Sequence, residues 1–85
     1  MNTIAWTRKA VKQLLKLHTL HQAQIRDAVS KLDSMPDVTH VKSLVGHSYG
    51  YRLRVGDYRV LFDWDGGVKI VSVQEVRKRD ERTYS

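Results

Sequence analysis

"YGYRLRVGDYRV", residues 49–60, alternates apolar and basic side chains on both sides of a Gly-Asp pair. Alternation with a period of two is typical of a β-strand that buries one face. A two-residue Gly-Asp loop is typical of a tight hairpin, because glycine adopts positive φ at the first central position. If the pair forms the whole loop, Arg54 stands opposite Arg59, and Arg52 lies two residues along the strand at roughly 7 Å. The stretch therefore predicts a hairpin whose arginines gather on one face.

The alternation also predicts which face of the hairpin is buried. Its apolar side chains point away from the arginines, and we expect them to pack on helices: Tyr51, Leu53, Val55, Tyr58, Val60 and Phe62. Further along, "DGG" at 65–67 is a second turn signal, and the β-branched "VKIVSVQEV" at 68–76 predicts a last strand. "NTIAW" at 2–6 predicts a first strand.

Helical spacing occupies the segment between the first strand and the hairpin. Thr7 stands where an N-cap belongs, before "RKAVKQLLKL" at 8–17, and "HTLH" at 18–21 interrupts the pattern. A second helix is predicted from Ile25, Ala28, Val29 and Leu32. It ends near Pro36, because the residue before a proline is pushed out of helical geometry. Helices joined by so short a link are expected to pack as an antiparallel pair.

The order of elements predicts an α+β fold: an N-terminal strand, an antiparallel helix pair and a C-terminal antiparallel three-stranded meander. With 85 residues and 41% hydrophobic residues, the chain is expected to form one domain over residues 1–85. It has no cysteine, and its four histidines are scattered, so we expect no disulfide, metal or other cofactor. No apolar run nears the roughly 20 residues that span a bilayer, and no signal-peptide pattern is present. We therefore expect a cytoplasmic protein without a membrane partner.

The net charge favours a nucleic-acid partner. Fifteen Lys and Arg against nine Asp and Glu give a formal charge of +6, and domains this basic often bind nucleic acid. The alternative is a basic surface without a ligand. One basic stripe is predicted on the first helix, either as a solvated face or as a docking surface for ribosomal RNA: Arg8, Lys9, Lys12 and Lys16.

The hairpin arginines allow two interpretations. Nearby aspartates could neutralise them in surface ion pairs worth about 0–1 kcal/mol each: Asp57, Asp63 and Asp65. Alternatively, the missing counter-charge is a ligand, since the planar, permanently charged guanidinium group fits a phosphate. His40 and His47 precede the hairpin and are expected to be surface polar groups, although His47 is near enough in sequence to line the site.

The C-terminal "VRKRDERTYS" at 76–85 places a second basic cluster after the last strand, followed by a phenol. A basic run at a terminus can be a solvated tail. The combination also favours RNA binding, because a tyrosine can stack on a base or transfer a proton. The residues concerned are Arg77, Lys78, Arg79, Arg82 and Tyr84.

The order of these segments resembles the RelE/ParE toxin superfamily, and its RelE-like mRNA interferase branch, over essentially the whole chain. The segments are "IAW", "KAVKQLLKL", "AVSKLDSMPD", "VKSLVG", "YGYRLRVGDYRVLFDW" and "VKIVSVQEVRKRDERTY", of which "YRLRVGDYRV" is the most specific. The resemblance implies a RelE-like microbial ribonuclease-type fold. It also implies the toxin of a type II toxin–antitoxin system, a ribosome-dependent endoribonuclease that cleaves mRNA in the A site by 2′-hydroxyl attack, without a metal.

By position in the motif, the resemblance implies five catalytic residues: Arg52, Arg54, Arg59, Arg79 and Tyr84. Arg52 and Arg54 stand where RelE itself commonly has lysines. With a pKa above about 12, arginine holds a phosphate but is a poor general base, so Tyr84 is the better candidate for proton transfer or base stacking. The implied RNA-binding residues are Arg8, Lys9, Lys12, Lys16, Arg77, Lys78 and Arg82.

The resemblance also implies partners: a cognate antitoxin whose extended chain wraps the toxin, the ribosome with its mRNA, and operator DNA only through the antitoxin complex. Two other functions remain open at this stage. One is a ParE-like poison of DNA gyrase. The other is a catalytically weakened relative that acts in antitoxin complex formation and operator binding.

Overall fold

The computed structural model of the protein describes residues 1–78. Its elements are, in chain order, strand β1 (Thr3–Trp6), helix α1 (Arg8–Leu15), helix α2 (Thr19–Ser30), a short 3-10 helix (Lys31–Ser34), and strands β2 (Val41–Ser43), β3 (Tyr51–Val55), β4 (Tyr58–Asp65) and β5 (Ile70–Lys78). The predicted α+β class is confirmed. Within the described part of the chain, no helix is long and apolar enough to cross a bilayer.

The five strands form one mixed sheet in the order β1-β5-β4-β3-β2. The predicted meander is present as β3, β4 and β5, which pair antiparallel in sequence order. Two features go beyond the prediction: β1 lies parallel to β5 at one edge, and β2 extends the other edge by pairing with β3. β2 has three residues, of which Lys42 and Ser43 are exposed. So short a strand carries too little alternation to be recognised in the sequence.

The hairpin between β3 and β4 has the predicted register, with Arg54 opposite Arg59 and Val55 opposite Tyr58. Gly56 has a φ of +55°, and positive φ at this position belongs to the tight turns that match the twist of a hairpin. A residue with a side chain would be strained there. The turn therefore fixes which side chains of the two strands share a face.

A bulge determines which side chains of β5 lie beside the hairpin arginines. Leu61 pairs with Glu75, whereas the next residue, Phe62, pairs with Val73, so Gln74 is extra. In a regular strand, residues two apart point the same way. The bulge instead leaves Val73 in the core and places Glu75 on the opposite face with Leu61. It thereby brings a carboxylate to the arginines.

One face of the sheet, the helix face, packs on α1 and α2. Its buried side chains confirm the predicted apolar side of the hairpin, and Phe62 is the largest of those with no exposed surface. Burial of each large apolar side chain contributes about 1.5–3 kcal/mol. The core consists of Ala10, Leu14, Ile25, Val29, Leu32, Met35, Leu53, Tyr58, Val60, Phe62, Val71, Val73 and Val76, with Trp6 and Trp64 packed against it.

Side-chain hydrogen bonds hold α1 against β5. Thr7 is the predicted N-cap: its Oγ1 accepts from the backbone N–H of Ala10 at 3.2 Å. The same hydroxyl donates to the carbonyl of Val73 at 2.9 Å, and Gln13 Oε1 accepts from the N–H of Val76 at 2.7 Å. Gln13 thereby satisfies a backbone N–H of β5 beyond the end of its pairing with β1, and the three bonds hold α1 beside β5.

Candidate functional site

The second face of the sheet, the arginine face, carries basic side chains from four adjacent strands. Arg54, Arg59 and Arg77 stand in one row across β3, β4 and β5. The next row is Lys42, Arg52, Leu61 and Glu75, from β2 to β5. Cross-strand neighbours lie about 4.5–5.5 Å apart at their Cβ atoms. The register alone therefore concentrates four arginines and one lysine on a small area.

A cleft of about 400 Å³ lies on this face. Its cationic lining is Lys42, Arg52, Arg59 and Arg77, and its other lining residues are Leu44, His47 and Leu61. Arg52 and Arg59 are therefore brought together as predicted, whereas Arg54 stands opposite Arg59 in the sheet without lining the cleft. Leu61 is only 4% exposed, so the floor of the cleft has an apolar part.

The wall of the cleft is the loop over residues 44–50, which hydrogen bonds hold at its base. The N–H of Leu44 donates to the carbonyl of Gly50 at 2.8 Å. The N–H of Gly50 donates to Asp63 Oδ1 at 2.7 Å. Within the loop, the N–H of Tyr49 donates to His47 Nδ1 at 3.2 Å. Because Nδ1 accepts, the proton of a neutral His47 ring lies on Nε2, which is left as a donor.

Glu75 is the buried centre of the charges beside the cleft, with 3% of its surface exposed. Arg77 binds it through two hydrogen bonds, Nε to Oε1 at 3.0 Å and Nη2 to Oε2 at 3.1 Å. Lys9 of α1 lies 3.4 Å from Oε1, and the Tyr49 side chain interacts electrostatically with this carboxylate. One carboxylate thus joins β5, α1 and the loop that walls the cleft.

These contacts determine the ionisation of Glu75. Burial alone would raise the pKa of its carboxyl group. The contacts with Arg77, Tyr49 and Lys9, with the charge of Arg77, outweigh burial and lower the pKa to about 2. In turn, the interaction with Glu75 and then burial raise the pKa of the Tyr49 hydroxyl. Glu75 therefore stays ionised at neutral pH and fixes its neighbours in place.

The ion pairs distinguish Arg77 from the hairpin arginines. Arg77, which belongs to the C-terminal basic cluster, has a partner in Glu75. Within residues 1–78, Arg52 and Arg54 form no ion pair with a carboxylate. Two of the aspartates considered as their partners, Asp63 and Asp65, bind elsewhere.

Asp63 and Asp65 accept hydrogen bonds from the backbone instead of from arginines. Asp63 Oδ1 binds the N–H of Gly50, and Asp65 Oδ1 binds the N–H of Gly67 at 2.9 Å in the β4–β5 turn. Asp63 therefore stabilises the base of the loop that walls the cleft, and Asp65 stabilises the β4–β5 turn. Neither carboxylate neutralises the charge of Arg52.

The remaining predicted residues do not line the cleft or lie outside the described residues. Arg8, Lys9 and Lys12 lie on α1, Lys16 is its C-cap and Lys78 ends β5. All are exposed. Three predicted residues lie outside the described residues: Arg79, Arg82 and Tyr84.

Two contributors to the site go beyond the sequence prediction. Lys42 lines the cleft because β2 pairs with β3, and no pattern in the sequence predicts that strand. The Glu75 network had a signal: Glu75 and Arg77 are two apart in a strand, which places them on the same face. His47, for which a site role was open, does line the cleft. Within residues 1–78, no group of three or more His, Asp or Glu could hold a metal ion.

Solved toxin structures share this fold. A chain of the archaeal RelE–RelB complex from Pyrococcus horikoshii superposes with a TM-score of 0.80 at 24% identity, over 94% of this chain and 97% of that chain. A chain of the Mycobacterium tuberculosis complex RelBE2 gives a TM-score of 0.77 at 25% identity, over 92% of this chain and 98% of that chain. The isolated E. coli RelE toxin gives 0.79 at 18% identity, over 99% and 92%. The architecture is that of the RelE toxins.

The family follows from the sequence. Residues 4–83 match the family model described as "ParE toxin of type II toxin-antitoxin system, parDE". The protein belongs to this family, within the RelE/ParE superfamily, and is the toxin of a type II toxin–antitoxin system. No curated protein shows a significant similarity to the chain.

Proposed function

We propose that this toxin is an endoribonuclease that cleaves mRNA in the ribosomal A site and so inhibits translation. The observation that carries the proposal is the cleft on the arginine face, where Lys42, Arg52 and Arg59 present cations to a space of about 400 Å³. A guanidinium group donates two parallel hydrogen bonds to phosphate oxygens. Several such groups in one concavity suit the backbone of RNA better than a neutral substrate.

The proposed chemistry is an in-line transesterification. The ribose 2′-oxygen forms a bond to the adjacent phosphorus while the bond from phosphorus to the 5′-oxygen of the next nucleotide breaks. The 2′-hydroxyl gives its proton to a base, and the 5′-oxygen takes one from an acid. The products are a 2′,3′-cyclic phosphate and a 5′-hydroxyl. Charge grows on the phosphate oxygens during this step, and fixed cations stabilise it without a metal ion.

The residues of the cleft divide these tasks unequally. Arg52 and Arg59 hold the phosphate and stabilise its charge, but their guanidinium groups do not exchange protons near neutral pH. Neutral His47 presents an N–H, since its other ring nitrogen already accepts from the Tyr49 backbone. We therefore keep Tyr84 as the proposed proton-transfer residue and Arg79 as a further phosphate ligand.

Two partners complete the proposal. The basic stripe of α1 docks on ribosomal RNA through phosphate contacts, which position a protein without reading sequence. A cognate antitoxin neutralises the toxin: the similar chains from P. horikoshii and M. tuberculosis were crystallised as toxin–antitoxin complexes. An acidic antitoxin segment that covers the arginine face would mask Arg52 and Arg59. Operator DNA is bound only through that complex.

A second candidate function is poisoning of DNA gyrase, and the observation that favours it is the ParE description of the matching family. Fold does not separate the two, since one fold hosts different activities. A third candidate is a catalytically weakened toxin, because arginines stand at the two positions where RelE commonly has lysines.

Induction of the toxin in growing cells separates these candidates. Primer extension on cellular mRNA should show breaks within codons soon after induction, while chromosomal DNA stays intact. Arg59→Ala should restore growth, and Arg26→Ala, which removes an exposed arginine from α2, should not. Gyrase-dependent DNA breaks with intact mRNA would contradict the nuclease proposal and support the gyrase poison. Normal growth on induction, with no breaks in either nucleic acid, would support the third candidate, a catalytically weakened toxin.

A further inference from the structure

We infer that the cleft binds one complete nucleotide, with the loop over residues 44–50 as the nucleobase subsite and Arg52 and Arg59 at the phosphate. The inference rests on the proposed function in taking RNA as the ligand, but it assigns a separate task to a separate part of the cleft. Its starting point is that the cleft is not uniformly cationic. A phosphate alone gives no reason for the apolar and aromatic side chains that line it: Leu44, His47 and Leu61.

The apolar floor of the cleft lies beside its arginines in the sheet. Leu61 is the cross-strand neighbour of Arg52 and lies two residues from Arg59 on the same strand. These separations correspond to about 5 Å and 7 Å. A nucleobase above Leu61 would thus be one sugar away from a phosphate held by the arginines. The volume, about 400 Å³, lies near the lower end of small-ligand pockets, which suits a single nucleotide.

His47 is placed to contact the base. Its ring is tilted by 44° to the ring of Tyr49, with 5.9 Å between the centroids. The Nδ1 contact with the Tyr49 N–H sets the ring orientation and leaves the Nε2–H to donate. An aromatic face and one donor, held before the ligand arrives, are the features that stack on a base and bind its edge.

The test compares two probes that carry the same phosphate and differ by the base: adenosine 5′-monophosphate and ribose 5-phosphate. Their affinities are measured by NMR titration of the purified toxin. Stacking of one base makes the nucleotide bind about tenfold more tightly. His47→Asn removes the ring but keeps an acceptor for the Tyr49 N–H. The His47→Asn variant should lose most of the preference for the nucleotide, while its affinity for ribose 5-phosphate changes by no more than about twofold. The His47→Phe variant keeps a ring face and should retain part of the preference.

Two controls make the result specific. His40→Asn is the same substitution at a nearby histidine that does not line the cleft; asparagine accepts the φ of +66° found there, and neither affinity should change. Arg52→Gln should weaken both probes alike. Equal binding of the two probes to the unmodified toxin, or an equal loss of both in His47→Asn, overturns the inference.

The outcome is also independent of cleavage. A base-dependent preference in a toxin that leaves mRNA intact would keep the subsite and discard the nuclease. Cleavage of mRNA by a toxin that binds both probes alike would keep the nuclease and discard the subsite.

Discussion

The two faces of one sheet are held together by different forces. On the helix face, side chains such as Phe62 and Val60 have no exposed surface and contribute through apolar burial. On the arginine face, order depends on polar contacts, and Glu75 interacts with Arg77, Lys9 and Tyr49. Strand alternation lets the same strands serve both purposes with different residues, because adjacent side chains point to opposite faces. Stability and ligand binding can therefore be changed almost separately.

Removal of the largest buried side chain should give the largest effect. Phe62→Ala should lower the free energy of unfolding by about 3–5 kcal/mol, because it loses apolar burial and leaves a cavity. Arg52→Gln, one residue pair away on the other face, should change it by less than about 0.5 kcal/mol. Urea unfolding followed by circular dichroism measures both. If Arg52→Gln lowered the free energy of unfolding as much as Phe62→Ala, the two faces would not contribute to stability separately.

Acid should weaken the arginine face through Glu75. Its folded pKa of about 2 lies below the usual value of 4.5 for a glutamate, so the ionised group contributes stability that is fully present above about pH 4.5. That contribution is lost as the pH falls from 4.5 towards 2, by about 1–3 kcal/mol, since one pKa unit corresponds to about 1.4 kcal/mol. Glu75→Gln cannot ionise there and should flatten this part of the stability curve.

Unfolding midpoints in urea between pH 5 and pH 2.5 test this prediction. Asp27→Asn is the matched control, because Asp27 forms an exposed pair with Lys31 at 3.8 Å and should leave the pH dependence unchanged. The same slope in Glu75→Gln as in the unmodified toxin would mean that another carboxylate causes the acid sensitivity.

Charge reversal on α1 should affect ribosome binding while leaving the core intact. Lys12→Glu with Lys16→Glu should weaken co-sedimentation with ribosomes about tenfold or more and lower the salt slope of binding by about 2, because two phosphate contacts are lost. Lys9 is left unchanged, since it also contacts Glu75. Arg26→Glu with Lys31→Glu makes the same net change on the α2 side. Equal weakening by both pairs would indicate a general charge effect in place of a docking surface.

The smallest effect should come from the turn that aligns the arginines. Gly56→Ala should destabilise the protein by about 1 kcal/mol, because φ is +55° there and no atom lies near an added Cβ. The cost is therefore backbone strain alone. Gly67→Ala, at a glycine without a positive φ, is the comparison, although its added Cβ would lie 3.2 Å from Asp65 Oδ1. A stabilised Gly56→Ala variant would contradict the assigned turn.

The hairpin was predictable because each of its signals is local. Gly56 sets the turn, the turn sets the register, and the register places Arg54 opposite Arg59. The apolar alternation identified the helix face for the same reason. The N-cap at Thr7 likewise depends on neighbours three residues away.

The remaining parts of the site depend on contacts distant in sequence. Lys42 lines the cleft because β2 pairs with β3. A strand of three residues is too short for its sequence to predict that pairing. The bulge at Gln74 reverses the expected relation of Val73 and Glu75, and bulges have no strong sequence signal. Glu75 contacts Lys9 of α1, 66 positions earlier in the chain (75 − 9 = 66). The contact of Lys9 with Glu75 could therefore not be found from the sequence, whereas the spacing of Glu75 and Arg77 along one strand was a local signal.

The most direct test measures mRNA cleavage on purified ribosomes by primer extension, with the unmodified toxin, Arg52→Gln and Arg26→Gln at equal concentrations. Loss of one positioned cation from a phosphate site costs about 10²–10³ in rate. The account predicts codon-specific breaks with the unmodified toxin and with Arg26→Gln, and a loss of that size in Arg52→Gln. Intact mRNA with the unmodified toxin, or cleavage at the full rate by Arg52→Gln, would contradict it.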